Sequence, residues 1–174
     1  MSASQAAPQG TAVGDFVISR LLDAPRELVW KSWTEVERLK RWWGPKGFKV
    51  VHATLDLRPD GAFHYGMRSP DGHDMWGKFT FREISAPSRL VFLSSFSDPD
   101  GNITRAPFPG LQWPLRMLTT VTFAERNGKT ELTVCSAAFE AEPEEQKTFD
   151  GFHDSMRGGW GGTLDILSDY LAKA

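Results

Sequence analysis

Five short turn sequences divide much of the chain into segments that favour β-structure, and this pattern constrains the fold strongly. The turns are Pro59-Asp60-Gly61, Pro70-Asp71-Gly72, Ala86-Pro87-Ser88, Pro99-Asp100-Gly101 and Asn127-Gly128. Proline presets φ in such turns, and glycine or asparagine accepts a positive φ. The intervening segments alternate or are rich in β-formers, which predicts strands at 16–22, 48–57, 62–69, 74–84, 90–96, 117–124 and 130–139. Because short turns join only antiparallel neighbours, we predict a seven-stranded antiparallel sheet.

Residues 23–45, between the first two predicted strands, carry helix signals. Asp23 is a suitable N-cap, and Gly44-Pro45 ends the helical region. Thr34 and Glu37 form a second capping box in the middle of the segment, so two short helices with a bend are predicted. Their apolar face should meet the sheet; it carries Val29, Trp33, Val36 and Trp43.

The segment 144–171 has the periodicity of one long helix. Its apolar residues are spaced by three and four positions and fall on one face: Phe149, Phe152, Met156, Trp160, Leu164, Leu167 and Leu171. Five glycines interrupt the segment, and each costs up to ~1 kcal/mol relative to alanine in a helix. Two interpretations follow. The helix begins near Thr163, or it is continuous and softened around residues 158–162, where it could bend over a cavity.

Charge and cysteine content exclude several classes of partner. The chain has 20 Lys and Arg against 22 Asp and Glu, so it lacks the positive field that attracts nucleic acid. Cys135 is the only cysteine, which excludes an internal disulfide and fits a reducing cytoplasm. Residues 1–14 are small and polar, which predicts a disordered tail before a single domain at 15–174. No apolar run reaches the length of a membrane span.

The aromatic residues are mostly apolar: seven Trp and twelve Phe against only two Tyr. Such rings fill cores and also make the walls of apolar ligand pockets. Strand alternation puts Phe63, Tyr65 and Met67 on one face of their strand. So many large rings, with polar groups such as Tyr65 and Ser94 among them, would be difficult to pack densely. The set therefore favours a partly hollow interior.

Several short motifs, in this order, resemble a known family. They include Ala24-Pro25, Trp42-Trp43-Gly44-Pro45, Gly61-Ala62-Phe63, Thr119-Thr120-Val121-Thr122-Phe123, Gly128-Lys129-Thr130-Glu131-Leu132-Thr133 and Gly159-Trp160-Gly161-Gly162-Thr163-Leu164. Together they are similar to the SRPBCC, or START-like, superfamily. Within that superfamily, the chain resembles the domains named after activators of the heat-shock-protein-90 ATPase.

The resemblance implies an α+β helix-grip fold. In this fold a curved seven-stranded antiparallel sheet wraps around a long C-terminal helix, and two short helices lie between strands 1 and 2. It also implies a hydrophobic cavity between sheet and helix, open to small apolar or aromatic molecules. It does not imply one chemistry, because members include lipid carriers, polyketide aromatases and cyclases, drug-resistance proteins and chaperone activators. No cofactor is predicted for this chain.

Combined with strand alternation, this fold predicts which side chains surround a ligand. The candidate ligand-binding residues are Trp30, Trp33, Phe63, Tyr65, Met67, Phe79, Phe81, Ser94, Phe96, Trp113, Met117, Phe152, His153, Met156 and Trp160. Among them, Tyr65, Ser94 and His153 would orient the ligand through hydrogen bonds. The long connection 102–114 has three prolines and is interpreted as a semi-rigid lid; the alternative is a flap over a sheet edge or a subunit contact.

Catalytic and metal motifs are weak in this sequence. The four histidines form no HExxH or HxH pattern, and no nucleophile motif is present. His153 follows Asp150 by three residues, a spacing that could orient its imidazole as a general base. Three hypotheses remain: binding of a small hydrophobic molecule, an interaction module that stimulates a chaperone ATPase, and a cyclase or hydrolase using the same cavity. A second copy of the chain is a further possible partner.

Overall fold

One antiparallel sheet and four helices make up residues 15–174, the part of the chain that the computed structural model describes. The strands are β1 (Phe16–Leu22), β2 (Lys49–Leu55), β3 (Ala62–Arg68), β4 (Asp74–Ser85), β5 (Arg89–Ser97), β6 (Ile103–Thr104), β7 (Arg116–Arg126) and β8 (Lys129–Phe139). The helices are α1 (Arg26–Thr34), α2 (Val36–Trp42), α3 (Pro143–Gly151) and α4 (His153–Lys173). The predicted N-terminal tail at 1–14 lies outside the described residues.

The sheet contains the seven predicted strands and one short addition. The strand order is β1-β8-β7-β5-β4-β3-β2, and every pairing is antiparallel. The addition is β6, which pairs with the end of β5. A strand of two residues is too short to show alternation, so sequence patterns missed it. With the long C-terminal helix, this arrangement confirms the α+β helix-grip fold.

The two predicted short helices are present, but their predicted caps are wrong. Pro25 and Glu35 occupy the N-cap positions of α1 and α2, and neither makes a side-chain capping bond. Asp23 lies before the cap position. The Thr34 hydroxyl instead donates to the Trp30 carbonyl oxygen at 2.8 Å. Thr34 is the last residue of α1, where a hydroxyl readily bonds to the carbonyl four residues back.

The C-terminal segment is helical through its glycines and breaks elsewhere. Residues 158–162 all lie within α4, so the interpretation in which the helix begins near Thr163 is wrong. The continuous-helix prediction is also wrong at one position, because Phe152 leaves helical geometry (φ −103°, ψ 8°) and separates α3 from α4. Gly151 precedes this break, and glycine is a common site of helix kinks.

None of the helices within residues 15–174 has the length and apolar character that a membrane-spanning helix needs.

The core fills only one end of the space between sheet and helix. Leu164, Leu167 and Leu171 of α4 are buried against the sheet and against α1 and α2. Phe123 on β7 contacts the rings of Trp30 and Trp33 at centroid distances of 5.2 and 6.2 Å. The N-terminal half of α4 lies over the other end of the sheet, and there the interior is not filled.

Candidate ligand-binding cavity

A cavity of about 690 Å³ lies between the N-terminal half of α4 and the inner face of the sheet. This volume is in the range of pockets that hold drug-sized molecules. Its walls come mainly from β3, β4, β5, β7, β8, α4 and the connection between β6 and β7. The lining is Trp43, Gly44, Pro45, Tyr65, Met67, Met75, Trp76, Phe79, Phe92, Ser94, Ser95, Phe96, Phe108, Leu111, Trp113, Pro114, Met117, Thr119, Ser136, Phe152, Ser155, Met156, Gly159, Trp160 and Thr163.

The helical wall follows from the period of α4. Its lining positions are 155, 156, 159, 160 and 163, which is the spacing of one face of an α-helix, and Phe152 at the helix break adds one more lining residue. Gly159 stands in the middle of this face, and a Cβ built on it would meet no atom within 4 Å. The missing side chain at Gly159 therefore leaves open space beside the cavity.

A glycine on the sheet determines how Tyr65 lies. Gly77 is directly opposite Tyr65 in the pairing of β3 with β4. A Cβ on Gly77 would lie 2.9 Å from Cε1 of Tyr65 and closer still to Cζ and Oη. The tyrosine ring thus lies across Gly77, along the sheet, in the manner of an aromatic residue that covers a cross-strand glycine.

Trp43 and Tyr65 form the polar point of this wall. Their rings meet edge to face, with centroids 5.5 Å apart. Burial raises the pKa of the Tyr65 phenol well above its ordinary value, and the neighbouring Trp43 N–H offsets this rise only in part. That N–H is buried and forms no hydrogen bond with any acceptor among the described residues. The phenol therefore stays protonated at neutral pH and can act as a hydrogen-bond donor.

Three hydroxyl groups cross the facing strands in a row. The Thr119 and Ser136 hydroxyl oxygens are 2.9 Å apart, and those of Ser94 and Thr119 are 3.5 Å apart. Thr119 and Ser136 are buried, whereas Ser94 is half-buried. All three residues line the cavity. The row satisfies its buried hydroxyls internally and ends at Ser94.

The connection between β6 and β7 lies against the cavity, where Phe108, Leu111, Trp113 and Pro114 contribute to the lining. The Trp113 ring contacts Phe149 and Phe152 at centroid distances of 5.7 and 5.6 Å, so the connection packs against α3 and against the residue at the helix break. Arg105 donates from Nη1 to Oε2 of Glu145 at 2.6 Å. The predicted location of this segment beside the cavity agrees with these contacts, and its role as a lid stays a prediction.

The structure brings ten of the fifteen predicted ligand-binding residues together around the cavity: Tyr65, Met67, Phe79, Ser94, Phe96, Trp113, Met117, Phe152, Met156 and Trp160. The other five, Trp30, Trp33, Phe63, Phe81 and His153, do not line it. Trp30 and Trp33 pack under α1 on the ring of Phe123. Phe63 and Phe81 face inward as predicted but lie at the filled end of the sheet and are almost completely buried.

His153 occupies a different environment from the predicted one. Its ring lies edge-on to Phe16 and Phe149, with centroids 5.8 and 5.2 Å away. Its Nε2 is buried without a hydrogen-bond partner among the described residues, and the Asp150 carboxylate accepts a bond from Gln146 Nε2 at 2.8 Å. His153 lies one position after the break at Phe152, so the angle predicted for a continuous helix does not apply.

Sequence reasoning missed several lining residues. Thr119 and Ser136 were missed because a hydroxyl residue in a strand gives no periodic signal that separates it from solvent-facing residues. Phe92 on β5 also lines the cavity and is not among the predicted ligand-binding residues. Trp43 was assigned to the apolar face of the helical pair, and its ring reaches Phe79 and Trp160 at centroid distances of 5.3 and 5.7 Å.

No Asp, Glu, Lys, Arg, His or Cys is among the described residues that line the cavity. Among these described lining residues, Tyr65 is the one titratable group. Across residues 15–174, no three His, Cys, Asp or Glu side chains are grouped so that they could hold a metal ion.

Comparisons with known proteins place this cavity in a family context. The sequence profile of the family described as Activator of Hsp90 ATPase homolog 1-like protein matches residues 23–172. The chain belongs to this family. The match confirms the resemblance to SRPBCC domains of the Hsp90-activator group. Among curated proteins, no sequence matches this chain.

Solved structures share the family fold. A protein from Arthrobacter aurescens is 29% identical to this chain with a TM-score of 0.74, and the match covers 92% of this chain and 87% of that protein's chain. A protein from Nitrosomonas europaea is 26% identical with a TM-score of 0.72, covering 94% and 97%. The AHSA1 protein of Silicibacter pomeroyi is 20% identical with a TM-score of 0.65, covering 91% and 97%, and shows the fold alone.

Proposed function

We propose that this AHSA1-family domain binds a small hydrophobic or aromatic molecule in the cavity between the sheet and α4. The observation that carries the proposal is the cavity of about 690 Å³, walled by aromatic and methionine side chains. Cores of proteins are normally close-packed, so a space of this size inside an apolar wall calls for an occupant. Burying about 300 Å² of apolar ligand surface would contribute roughly 7–8 kcal/mol before the costs of ordering the ligand and the side chains are subtracted.

The lining supports binding rather than acid–base catalysis. General acid–base chemistry needs a group whose pKa is close to the working pH. The cavity wall offers only Tyr65, and burial moves the pKa of its phenol away from neutrality. No carboxylate–imidazole or nucleophile–base pair is present among the described lining residues.

A ligand screen with two glycine variants tests the proposal. The wild-type chain is screened against aromatic and lipid-like compounds by ligand-detected NMR and thermal shift. A ligand that binds the native state at 100 times its Kd adds about 2.7 kcal/mol of stability. Gly159→Leu places a side chain in the cavity, whereas Gly158→Leu places the same side chain on an open, exposed position outside the lining.

We expect the thermal shift caused by a hit to be lost in Gly159→Leu and kept in Gly158→Leu. Both variants lose a helix glycine, so their intrinsic helix effects match. Equal thermal shifts in the two variants would place the ligand elsewhere on the protein and contradict the proposal. The absence of any hit from the collection would contradict it as well.

The family description supports a second candidate, an interaction with a chaperone of the Hsp90 class. Adding the purified chain to such a chaperone and measuring ATP hydrolysis tests this candidate. A rate that rises with the concentration of the chain would support it. If the rate of ATP hydrolysis does not change and the chain does not bind the chaperone at the concentrations tested, this second candidate is wrong.

A further inference from the structure

The described residues of the cavity wall carry no charged side chain, and polar groups at Tyr65 and at Ser94 lie among its apolar rings. This combination restricts the ligand. We propose that the ligand is uncharged and presents an oxygen acceptor, such as a ketone, to the hydroxyl group of Tyr65. This inference rests on the proposed ligand-binding function and deepens it by naming the class of ligand.

The first step concerns charge. Every described residue that lines the cavity is neutral at pH 7. A carboxylate or ammonium group that enters such a site loses its hydration and finds no counter-ion, which costs several kcal/mol. The cavity therefore discriminates against fatty-acid-like anions and against amines, although both could carry an apolar body that fits the walls.

The second step concerns the direction of the Tyr65 proton. The ring is held along the sheet over Gly77, so its hydroxyl has a defined position. The Trp43 indole lies against the Tyr65 ring, and its N–H is buried with no acceptor among the described residues. An indole N–H can only donate and a protonated phenol can donate, so a ligand oxygen that accepts hydrogen bonds matches both groups.

The third step concerns the second polar point, at Ser94. Three hydroxyls have three protons, and the two contacts of the Ser94–Thr119–Ser136 row use two of them. When Ser136 donates to Thr119 and Thr119 donates to Ser94, the Ser94 proton is free for a ligand; in the opposite direction the Ser94 oxygen is still free to accept. Gly77, beneath the Tyr65 hydroxyl, is opposite Phe96, two residues from Ser94. Sheet spacings then separate the two polar points by about 8 Å, a distance that a flat two-ring molecule spans.

Three probes of one shape test the class of ligand. They are 2-acetylnaphthalene, which has a ketone acceptor, 2-naphthoate, which is an anion, and 2-ethylnaphthalene, which has no acceptor. Each is titrated into the wild-type chain at neutral pH, and Kd is measured by ligand-detected NMR. We expect the ketone to bind most tightly and the anion at least about a hundredfold more weakly than the ketone.

Two tyrosine variants test the contact. Tyr65→Phe removes the proposed donor and keeps the ring. Tyr170→Phe makes the same change outside the cavity, where the Tyr170 hydroxyl accepts a bond from Arg38 Nη1 at 3.1 Å. We expect Tyr65→Phe to weaken ketone binding about three- to tenfold, the effect of one net hydrogen bond. Binding of 2-ethylnaphthalene should stay within twofold, and Tyr170→Phe should change neither probe.

The outcomes separate the inference from the function on which it rests. If naphthoate binds as well as the ketone, or if both tyrosine variants affect the ketone equally, the ligand class is wrong while the cavity still binds. If none of the three probes binds the wild-type chain and the wider screen also gives no hit, the proposed function fails and the inference fails with it.

Discussion

Replacing Gly77 by alanine tests the packing that holds Tyr65 along the sheet. Gly77 does not adopt positive φ, so alanine adds no backbone strain at this position. Its Cβ would lie 2.9 Å from Tyr65 Cε1, well inside ordinary contact distance, and the ring would have to move toward the cavity. Overpacking of this kind costs about 1–3 kcal/mol, while removing a strand glycine gains about 0.5–1 kcal/mol. We expect a net loss of about 0.5–2 kcal/mol.

The sign should reverse when the tyrosine ring is absent. In a Tyr65→Ala background the new Cβ meets no ring, so Gly77→Ala should stabilise the fold by about 0.5–1 kcal/mol. The wild type, the two single variants and the double variant form a double-mutant cycle, and the free energy of unfolding of each is measured by urea denaturation. The comparison requires that the four proteins have equal m-values. Gly128→Ala is the matched control, because Gly128 has φ +84° and open space around its Cβ. It should destabilise both backgrounds equally.

The coupling free energy between Gly77 and Tyr65 decides the result. The reasoning predicts a coupling of about 1–3 kcal/mol for Gly77 and close to zero for the Gly128 control. If Gly77→Ala destabilises both backgrounds by amounts within about 0.5 kcal/mol of each other, the ring is not held by the glycine. The defined position of the Tyr65 hydroxyl would then lose its structural basis.

Three further predictions concern the helix, the loop and pH. Gly158→Ala should raise stability by about 1 kcal/mol in urea unfolding, because the position is helical and exposed; no gain would contradict helical structure there. Arg105→Ala breaks the ion pair between the exposed Arg105 and the half-buried Glu145, so it should cost about 1 kcal/mol and speed proteolysis of the 102–114 connection. An unchanged cleavage rate would show that the pair does not hold this connection in place. The Arg20 guanidinium lowers the pKa of Asp165 below its ordinary 3.8. The resulting stabilisation is present at neutral pH and lost as pH falls through that lowered pKa, so the stability deficit of Asp165→Asn should shrink in acid.

Strand prediction succeeded where local chemistry decides the structure. The predicted bounds of β1 match the structure, and those of the other long strands differ by one or two residues at their ends. Turn residues and alternation act over a few positions, so they are readable without the rest of the chain. The predicted helix caps were wrong because local sequence alone does not determine at which end of a helix a residue lies. Thr34 suits both a cap and the last turn of a helix, and only the location of the break at Glu35 decides between them.

The sequence predicted which side chains face inward but not where the cavity ends. Tyr65, Phe79 and Ser94 were correctly assigned inward, and so was Phe63. Only the first three line the cavity, because Phe63 lies under the rings of Trp43 and Tyr65, at centroid distances of 6.3 and 5.0 Å. Whether an inward side chain meets a neighbour or a space depends on elements far away in sequence.

The sequence itself determined the succession of the long strands and helices along the chain. It also determined which strand residues face inward and where the apolar stripe of the C-terminal helix lies, because these patterns repeat over two to four residues. The tertiary structure alone decided where the stripe closes on the sheet and where it leaves a cavity. It also decided the break at Phe152, the row of hydroxyls ending at Ser94 and the Trp43–Tyr65 contact. These features depend on distances between elements up to a hundred residues apart, which no local pattern encodes.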